Sequence, residues 1–286
     1  MPKPVTSVAV VGGGFMGAGI AETAAFAGIP VVLCELPEYL DAARARMQSS
    51  LDRAVKRGKR DVADRDSALA RITVTSELMD VAGADLVVEA VPENVELKTS
   101  IMEELGGIVP DDAVIASNTS SIPIAQLASA VHNPGRVVGL HFFSPVPVMA
   151  LVEIVRALDT SDETIETAHA FIERLGKQAI ETKDRSGFIV NFLLIPYLMA
   201  AVRMYEDDFA TREDIDEGMK LGAGHPMGPL TLCDFIGLDV LHAVCNSLYE
   251  EFKRDEYAPP PLLKRMIAAG RLGRKSGRGF YDYAEV

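Results

Sequence analysis

The segment Val8-Ala9-Val10-Val11-Gly12-Gly13-Gly14-Phe15-Met16-Gly17 decides the fold of this chain. Its β-branched run predicts a buried first strand, and the Ala-rich residues 18–27 predict a helix that follows at once. Gly12, Gly14 and Gly17 then form the pattern G-x-G-x-x-G between a strand and a helix, where a dinucleotide pyrophosphate rests against the helix N-terminus. The alternative is a Gly-rich turn in an α/β domain that binds no nucleotide. The loop residues predicted to contact the cofactor are Gly12, Gly14, Phe15, Met16 and Gly17.

The rest of the N-terminal part continues this strand and helix alternation to about residue 182. The pattern predicts an α/β fold with a mostly parallel, doubly wound Rossmann-type sheet. Residues 39–71 are rich in Ala and Arg, and they predict an inserted helical hairpin that breaks near Gly58. After Gly187 one helix follows another, so we expect residues 1–186 to form the nucleotide-binding domain and residues 187–286 an all-helical C-terminal domain.

Composition narrows the class of protein. The 286 residues carry a net charge of −13, which argues against a nucleic-acid surface, although local Lys and Arg can still bind an anion. The three cysteines lack disulfide or metal-ligand spacing, so we expect no metal site and a reducing cytoplasm. The longest apolar stretch, residues 188–202, is broken by Asn191 and Pro196 and is too short to cross a bilayer. With no signal peptide at the N-terminus, the sequence predicts no membrane partner.

Glu35 ends the predicted second strand, residues 31–35, 18 residues after Gly17. A carboxylate at this point accepts hydrogen bonds from the ribose hydroxyls of a dinucleotide and repels a 2′-phosphate. The sequence therefore predicts NAD, in preference to NADP, as the cofactor.

His141 ends another predicted strand, where ligands bind in an open α/β sheet. Phe142, Phe143 and a Pro-rich turn follow it, and Glu153 lies 12 residues further on. A returning strand would bring Glu153 beside His141, and the carboxylate would orient the ring and stabilise its protonated form. The pair predicts proton transfer, which together with a nicotinamide cofactor indicates a dehydrogenase. The alternative is that Glu153 is a surface residue of its strand.

Two other polar positions have two interpretations each. Residues 118–121, Asn-Thr-Ser-Ser, follow the strand 114–116 and could hydrogen-bond a substrate oxygen. Because Ile122 and Pro123 begin a predicted helix, we also expect at least one of these serines to cap it. Asn191 lies on an apolar helix and needs partners there, which makes it either a substrate contact or a clasp between helices.

The chain resembles the short-chain L-3-hydroxyacyl-CoA dehydrogenases, including the bacterial 3-hydroxybutyryl-CoA dehydrogenases. The resemblance runs from Val8 to Tyr283. Besides the Gly12 loop, the segments that carry it, in order, are Val88-Glu89-Ala90-Val91-Pro92-Glu93-Asn94, Ser117-Asn118-Thr119-Ser120-Ser121, His141-Phe142-Phe143, Pro145-Val146-Pro147-Val148-Met149, Gly187-Phe188-Ile189-Val190-Asn191, Leu221-Gly222-Ala223-Gly224 and Gly279-Phe280-Tyr281.

The resemblance implies reversible oxidation of an L-3-hydroxyacyl-CoA by NAD, and a homodimer formed through the C-terminal domain. It implies that His141 is the general base and that Glu153 supports it. The residues it assigns to substrate are Ser120 and Asn191, with Ser50, Lys56 and Arg57 of the hairpin binding CoA. The residues it assigns to NAD are Glu93, Lys98, Ser120, Ser144 and Lys275. The alternative for the charged residues of the hairpin is that they form a solvated helix face and bind no ligand.

Two positions depart from the family pattern. Ser144 stands where the stand-alone enzymes usually carry Asn, which leaves a shorter hydrogen-bonding group, and Phe192 stands where Arg is common. Two other functions remain open at this point. One is a dehydrogenase of free 3-hydroxy acids on the same scaffold, and the other is a non-catalytic structural relative. The set Ser120, His141, Glu153 and Asn191 argues against the second.

Overall fold

The computed structural model describes residues 3–283, and the chain forms two compact units that meet at the bond between Arg185 and Ser186. The first unit contains the whole sheet, and the second is helical. The predicted fold class is confirmed, with a Rossmann-type unit followed by a helical one.

The sheet of the first unit has eight strands in the order β3-β2-β1-β4-β5-β6-β7-β8. Neighbouring strands are parallel except for β6 and β7, which are antiparallel. The central strands are buried along their length, as their unbroken apolar runs predict. The strands are β1 (Val8–Val11), β2 (Val31–Cys34), β3 (Ile72–Thr75), β4 (Leu86–Glu89), β5 (Val114–Ser117), β6 (Val137–Phe142), β7 (Leu151–Arg156) and β8 (Gln178–Lys183).

Six helices accompany these strands: α1 (Phe15–Phe26), α2 (Leu40–Lys56), α3 (Val62–Leu69), α4 (Val95–Ile108), α5 (Ile124–Ala128) and α6 (Asp162–Arg174). The pair α2 and α3 is the predicted hairpin, and it breaks at residues 57–61, with Gly58 at a φ of +66°. α2 buries one narrow stripe, Ala43, Met47 and Leu51, which accounts for its otherwise polar sequence. α1 is buried on most of its surface and packs on β1, β2 and the hairpin.

Within residues 186–283 the second unit has five α-helices: α7 (Val190–Glu206), α8 (Arg212–Ala223), α9 (Pro229–Ile236), α10 (Leu238–Phe252) and α11 (Pro261–Ala268). Two buried carboxylates hold it together. Asp216 accepts from the Leu230 and Thr231 backbone N–H groups at the start of α9, at 2.7 and 2.9 Å. Asp234 accepts from the backbone N–H groups of Phe280 and Tyr281, both at 2.9 Å, and so fixes the end of the chain onto α9.

No single helix within residues 3–283 is long and apolar enough to cross a membrane. Two neighbouring helices, α9 and α10, meet that length and composition only when taken together, and they are bent by 97° at their junction. Cys34, Cys233 and Cys245 are all buried free thiols. In the same part of the chain no three His, Cys, Asp or Glu side chains converge as ligands for a metal ion.

Candidate active site

The Gly-rich loop forms a tight turn between β1 and α1. Gly12 has a φ of +101°, and a Cβ there would lie 2.7 Å from the carbonyl group of Ala90. A Cβ on Gly17 would lie 1.8 Å from the Gly12 oxygen, so no other residue fits at the first turn of α1. Around Gly14, in contrast, a Cβ would meet nothing within 4 Å, and α1 begins with no side-chain cap or acidic residue. The open helix N-terminus fits the pyrophosphate of a dinucleotide.

Glu35 lies directly after β2 and faces this loop. Its two oxygens accept from the backbone N–H groups of Gly13, at 2.7 Å, and Leu36, at 2.8 Å. These bonds hold the carboxylate at the carboxyl end of the sheet beside the loop, where the ribose of a dinucleotide lies. Phe15 is 62% exposed on the same turn, and Met16 is half-buried.

A buried ionic network joins the ends of β4 and β5. Glu89, fully buried, accepts from Lys98 Nζ at 2.8 Å, from Ser117 Oγ at 2.6 Å and from the Val91 backbone N–H at 2.7 Å. Lys98 also donates to the Val91 carbonyl oxygen at 3.1 Å and lies 3.4 Å from Glu93. The Lys98 ammonium thus serves as an internal counter-ion at the place where the sequence predicts a cofactor contact. Whether it also reaches the cofactor stays a prediction.

Glu93 organises the Ser- and Thr-rich loop after β5. Its Oε1 accepts from Thr119 Oγ1 at 2.6 Å, from the Ser120 N–H at 3.0 Å and from Ser121 Oγ at 3.0 Å. Burial raises the pKa of Glu93, but the charge of Lys98 and these hydrogen bonds outweigh it, so the pKa is lowered overall. Ser120 is half-buried on this loop, which Glu93 holds in one conformation.

The expected serine cap of the next helix is wrong. The first N–H groups of α5, those of Ile124 and Ala125, bind the carboxylate of Asp184 at 2.9 and 2.7 Å. Thr119 Oγ1 takes the preceding N–H groups of Ser121 and Ile122. The capping group therefore comes from a residue 60 positions away, which no local pattern indicates.

His141 and Glu153 lie directly opposite each other on β6 and β7, as the returning-strand prediction requires. His141 Nδ1 lies 2.6 Å from Glu153 Oε2, and the two residues are 6% and 0% exposed. A carboxylate at this distance assigns the proton to Nδ1, which makes Nε2 the basic nitrogen of the ring. The Phe143 ring lies 4.6 Å from the imidazole, centroid to centroid. This arrangement can accept a proton and stabilise the resulting charge.

Two polar contacts fix the segments on either side of this pair. Asn118 Oδ1 accepts from the Phe142 backbone N–H at 3.0 Å and ties the serine loop to the end of β6. Lys177 Nζ donates to the carbonyl oxygens of Val146 and Met149, at 2.6 and 2.7 Å, beneath the loop between β6 and β7. Ser144 is exposed on that loop.

A groove of about 440 Å³ runs between α1, α2 and residues 145–147 of this loop. Ser50 lines it, together with Arg46 and Arg53. Lys56 and Arg57 are exposed at the end of α2 and are not part of its wall. The contact of Ser50, Lys56 and Arg57 with CoA stays a prediction.

Two predicted site residues belong to the second unit. Asn191 is half-buried in the first turn of α7. Lys275 follows α11 in a short helical turn and donates to Asp239 Oδ2 at 2.6 Å, with its side chain 46% exposed. Their roles toward substrate and NAD stay predictions.

This chain has a Gly-rich turn between a strand and a helix, and a histidine held by a carboxylate, on one doubly wound sheet. These features place it among the NAD-dependent dehydrogenases. Comparison with known families makes the class specific. The NAD binding domain of 3-hydroxyacyl-CoA dehydrogenase matches residues 7–185, and the C-terminal domain of 3-hydroxyacyl-CoA dehydrogenase matches residues 187–283. The chain belongs to this family, and its cofactor is NAD.

Individual relatives agree over the full length. A 3-hydroxybutyryl-CoA dehydrogenase of Mycobacterium tuberculosis is 51% identical over 286 residues, 99% of this chain and 100% of the relative. The crystal structure of FadB2 of Mycobacterium tuberculosis is 50% identical with a TM-score of 0.97, and that of (S)-3-hydroxybutyryl-CoA dehydrogenase PaaH1 of Ralstonia eutropha is 46% identical with a TM-score of 0.92. Each alignment covers 99% of this chain and 100% of the other.

Three polar residues at the site were missed by sequence reasoning: Glu22, Lys177 and Asp184. The sequence does mark Glu22 as unusual, because it is the one charged residue in the apolar sequence of α1. Lys177 and Asp184 act on segments far from them in the chain, so their roles need the tertiary structure.

Proposed function

We propose that this protein catalyses the reversible oxidation of short-chain L-3-hydroxyacyl-CoA, with 3-hydroxybutyryl-CoA and acetoacetyl-CoA as the substrate pair. The observation that carries the proposal is the 2.6 Å contact between His141 Nδ1 and Glu153 Oε2 at the carboxyl end of the sheet. The names of the relatives support the choice of substrate.

In the oxidation, His141 Nε2 takes the proton of the C3 hydroxyl as the C3–H bond breaks and the carbonyl forms. Glu153 stays ionised and stabilises the imidazolium that results. When bound, NAD supplies the hydride acceptor, so that the proton and the hydride together account for the two hydrogens lost by the alcohol. In the reverse direction His141 returns the proton to the carbonyl oxygen.

Substrate binding divides between a reactive end and an anionic tail. Ser120 hydrogen-bonds the oxygen at C3. The family resemblance also assigns Asn191 to the substrate. The groove beside α2 receives the CoA part, with Ser50 in its wall and Lys56 and Arg57 further out on the hairpin. Cationic side chains on an otherwise acidic protein suit the phosphates of CoA.

We further propose a homodimer formed through the second unit, and a cytoplasmic location. The exposed apolar side chains of α7 and α8 support the dimer, with Leu193 66% and Leu221 79% exposed. Three free cysteines support the location. Sedimentation equilibrium tests the dimer, since a monomer at micromolar concentration would contradict it.

The direct test of the function is steady-state oxidation of NADH, followed at 340 nm, with acetoacetyl-CoA and with free acetoacetate. We expect kcat/KM for the thioester to exceed that for the free acid by about a hundredfold or more, because the groove contacts contribute to transition-state binding. The variant His141→Gln should lose about 10²–10⁴ in kcat with the thioester. Equal kcat/KM for the two compounds would assign the protein to the dehydrogenases of free 3-hydroxy acids.

A further inference from the structure

A carboxyl group lies at the base of the groove between α1 and α2. Glu22 of α1 is 3% exposed and still lines the groove. Buried acidic side chains are rare unless they are paired, so its position calls for a reason. The polar side chains that line the groove with it all come from α2: Arg46, Ser49, Ser50 and Arg53.

Arg53 and Ser50 line the groove together with Glu22, and the positive charges of Arg53 and Arg60 lower the pKa of the Glu22 carboxyl against the effect of its burial. Arg53 lines the same groove and donates to Ser49 Oγ at 2.7 Å. Arg60 lies over the ring of Phe26, 4.6 Å from its centroid. Phe26 is one turn of α1 beyond Glu22.

Two other arginines of the surrounding helices, Arg46 and Arg65, have contacts of their own. Arg46 donates to the Gly13 carbonyl oxygen at 3.1 Å. On α3, Arg65 pairs with Asp52 and Asp66, at 3.0 and 2.8 Å. Residues 145–147 of the third wall, Pro-Val-Pro, carry no titratable side chain.

We propose that Glu22 is a specificity-determining residue that weakens binding of the anionic part of the substrate, because its carboxylate puts a negative charge at the base of the groove and offsets the positive charge that Arg53 presents to the substrate phosphates. This inference rests on the proposed function, which puts the CoA part of the substrate in this groove. When Glu22 is uncharged, the positive charge of Arg53 in the groove wall acts on the ligand without this opposing charge. An ionised Glu22 adds a negative charge beneath a bound anion and offsets the charge of Arg53.

The opposing charge makes substrate affinity depend on pH. Burial raises the pKa of Glu22 to about 7, although the Ser50 hydrogen bond and the charges of Arg53 and Arg60 act in the opposite direction. Below neutral pH the carboxyl is therefore largely uncharged, and above it largely ionised. We expect KM for acetoacetyl-CoA to rise about threefold to tenfold between pH 6 and pH 8, a range set by a partly screened charge–charge interaction.

The test compares Glu22→Gln with the wild-type enzyme. Glutamine has the shape of the uncharged carboxyl, so KM for acetoacetyl-CoA should fall about threefold to tenfold at pH 8 and stay unchanged at pH 6. At each pH we compare the KM of the variant with that of the wild type as a ratio. The titration of the substrate phosphate affects both proteins equally, so it cancels in this ratio. The matched control is Glu104→Gln, an exposed position of α4 outside the groove, which should leave every constant unchanged.

Acetoacetyl-N-acetylcysteamine, a thioester without phosphates, separates this inference from the proposed function. The Gln variant should leave its KM unchanged, and placing the substitution in an Arg53→Gln background should reduce the effect on acetoacetyl-CoA. Equal kcat/KM for the two thioesters in the wild type would refute CoA recognition itself. A preference for acetoacetyl-CoA that is unaltered in KM and pH dependence by Glu22→Gln would refute this inference alone. An equal change in KM for both thioesters would also refute it, since Glu22 would then have a structural role.

Discussion

Replacing Glu153 by Gln tests the central chemical claim with the smallest change of shape. The substitution keeps the side chain on β7 opposite His141 and removes its charge from a contact of 2.6 Å. The charged hydrogen bond contributes about 1.5–3 kcal/mol. Two unit charges about 4 Å apart interact by about 4 kcal/mol at an effective dielectric constant of about 20, which sets the upper bound. A loss of about 1.5–4 kcal/mol in the transition state lowers kcat about 10- to 1000-fold.

The assay is steady-state reduction of acetoacetyl-CoA by NADH. A second measurement uses NADH deuterated at the transferred hydrogen, because a larger isotope effect on kcat in the variant shows that the chemical step has slowed. Binding constants for NADH should hardly move. The matched control is Glu181→Gln on the neighbouring strand β8, where the carboxylate is 40% exposed and pairs with Arg156. An exposed pair of this kind should leave kcat within about twofold of the wild-type value.

Glu153→Gln with a kcat within about threefold of the wild type, and with thermal unfolding unchanged, would refute the reasoning, since even the lower bound predicts more. Glu153 would then be a buried strand residue that satisfies the His141 ring without supporting its charge. If Glu153→Gln lost both kcat and the folded state, the variant His141→Gln would separate the catalytic effect from the structural one, because it removes the base and leaves the carboxylate in place.

Three other predictions concern separate parts of the first unit. Glu35→Ala should narrow the preference for NADH over NADPH by about tenfold or more in kcat/KM, because the carboxylate that repels a 2′-phosphate is gone; equal use of both cofactors by the wild type contradicts this. Reversing the charges of Lys56 and Arg57 should raise KM for acetoacetyl-CoA several-fold, and less at high salt, while KM for NADH stays flat; if both constants stay flat, the hairpin end is a solvated face. Burial raises the pKa of Asp85, but hydrogen bonds from Thr6 and Ser7 lower it to about 2. Ionised Asp85 therefore stabilises the folded state above about pH 4, and this stabilisation disappears as the pH falls toward 2. Asp85→Asn should therefore lower the free energy of unfolding by about 1–2 kcal/mol at pH 7, measured by urea titration, and the difference should vanish near pH 2.

The sequence predicts most of the first unit because its signals are local. The β1 run, the Gly12 loop and the break at Gly58 each depend on a few adjacent residues, and the structure has them where the pattern indicates. The His141 and Glu153 pairing also follows from a local count, since a turn and two antiparallel strands account for 12 residues. Groups that act across long sequence separations were not predictable. Asp184 caps α5 from 60 residues away. The bond from Ser117 to Glu89 requires knowledge of which strand ends adjoin, because these residues lie on β5 and β4.

The pairing of Glu89 with Lys98 has an evolutionary consequence. Both side chains are almost completely shielded from solvent, and the carboxylate also binds Ser117 and the Val91 backbone. Replacing either partner alone leaves an uncompensated buried charge, at a cost of about 3–5 kcal/mol, which is a large share of the stability of an ordinary domain. Single-step substitution at either position is therefore strongly selected against, whereas simultaneous loss of both charges is tolerated far better. We expect the two positions to be epistatic, so that homologous lineages keep the acid and the base together or exchange them together.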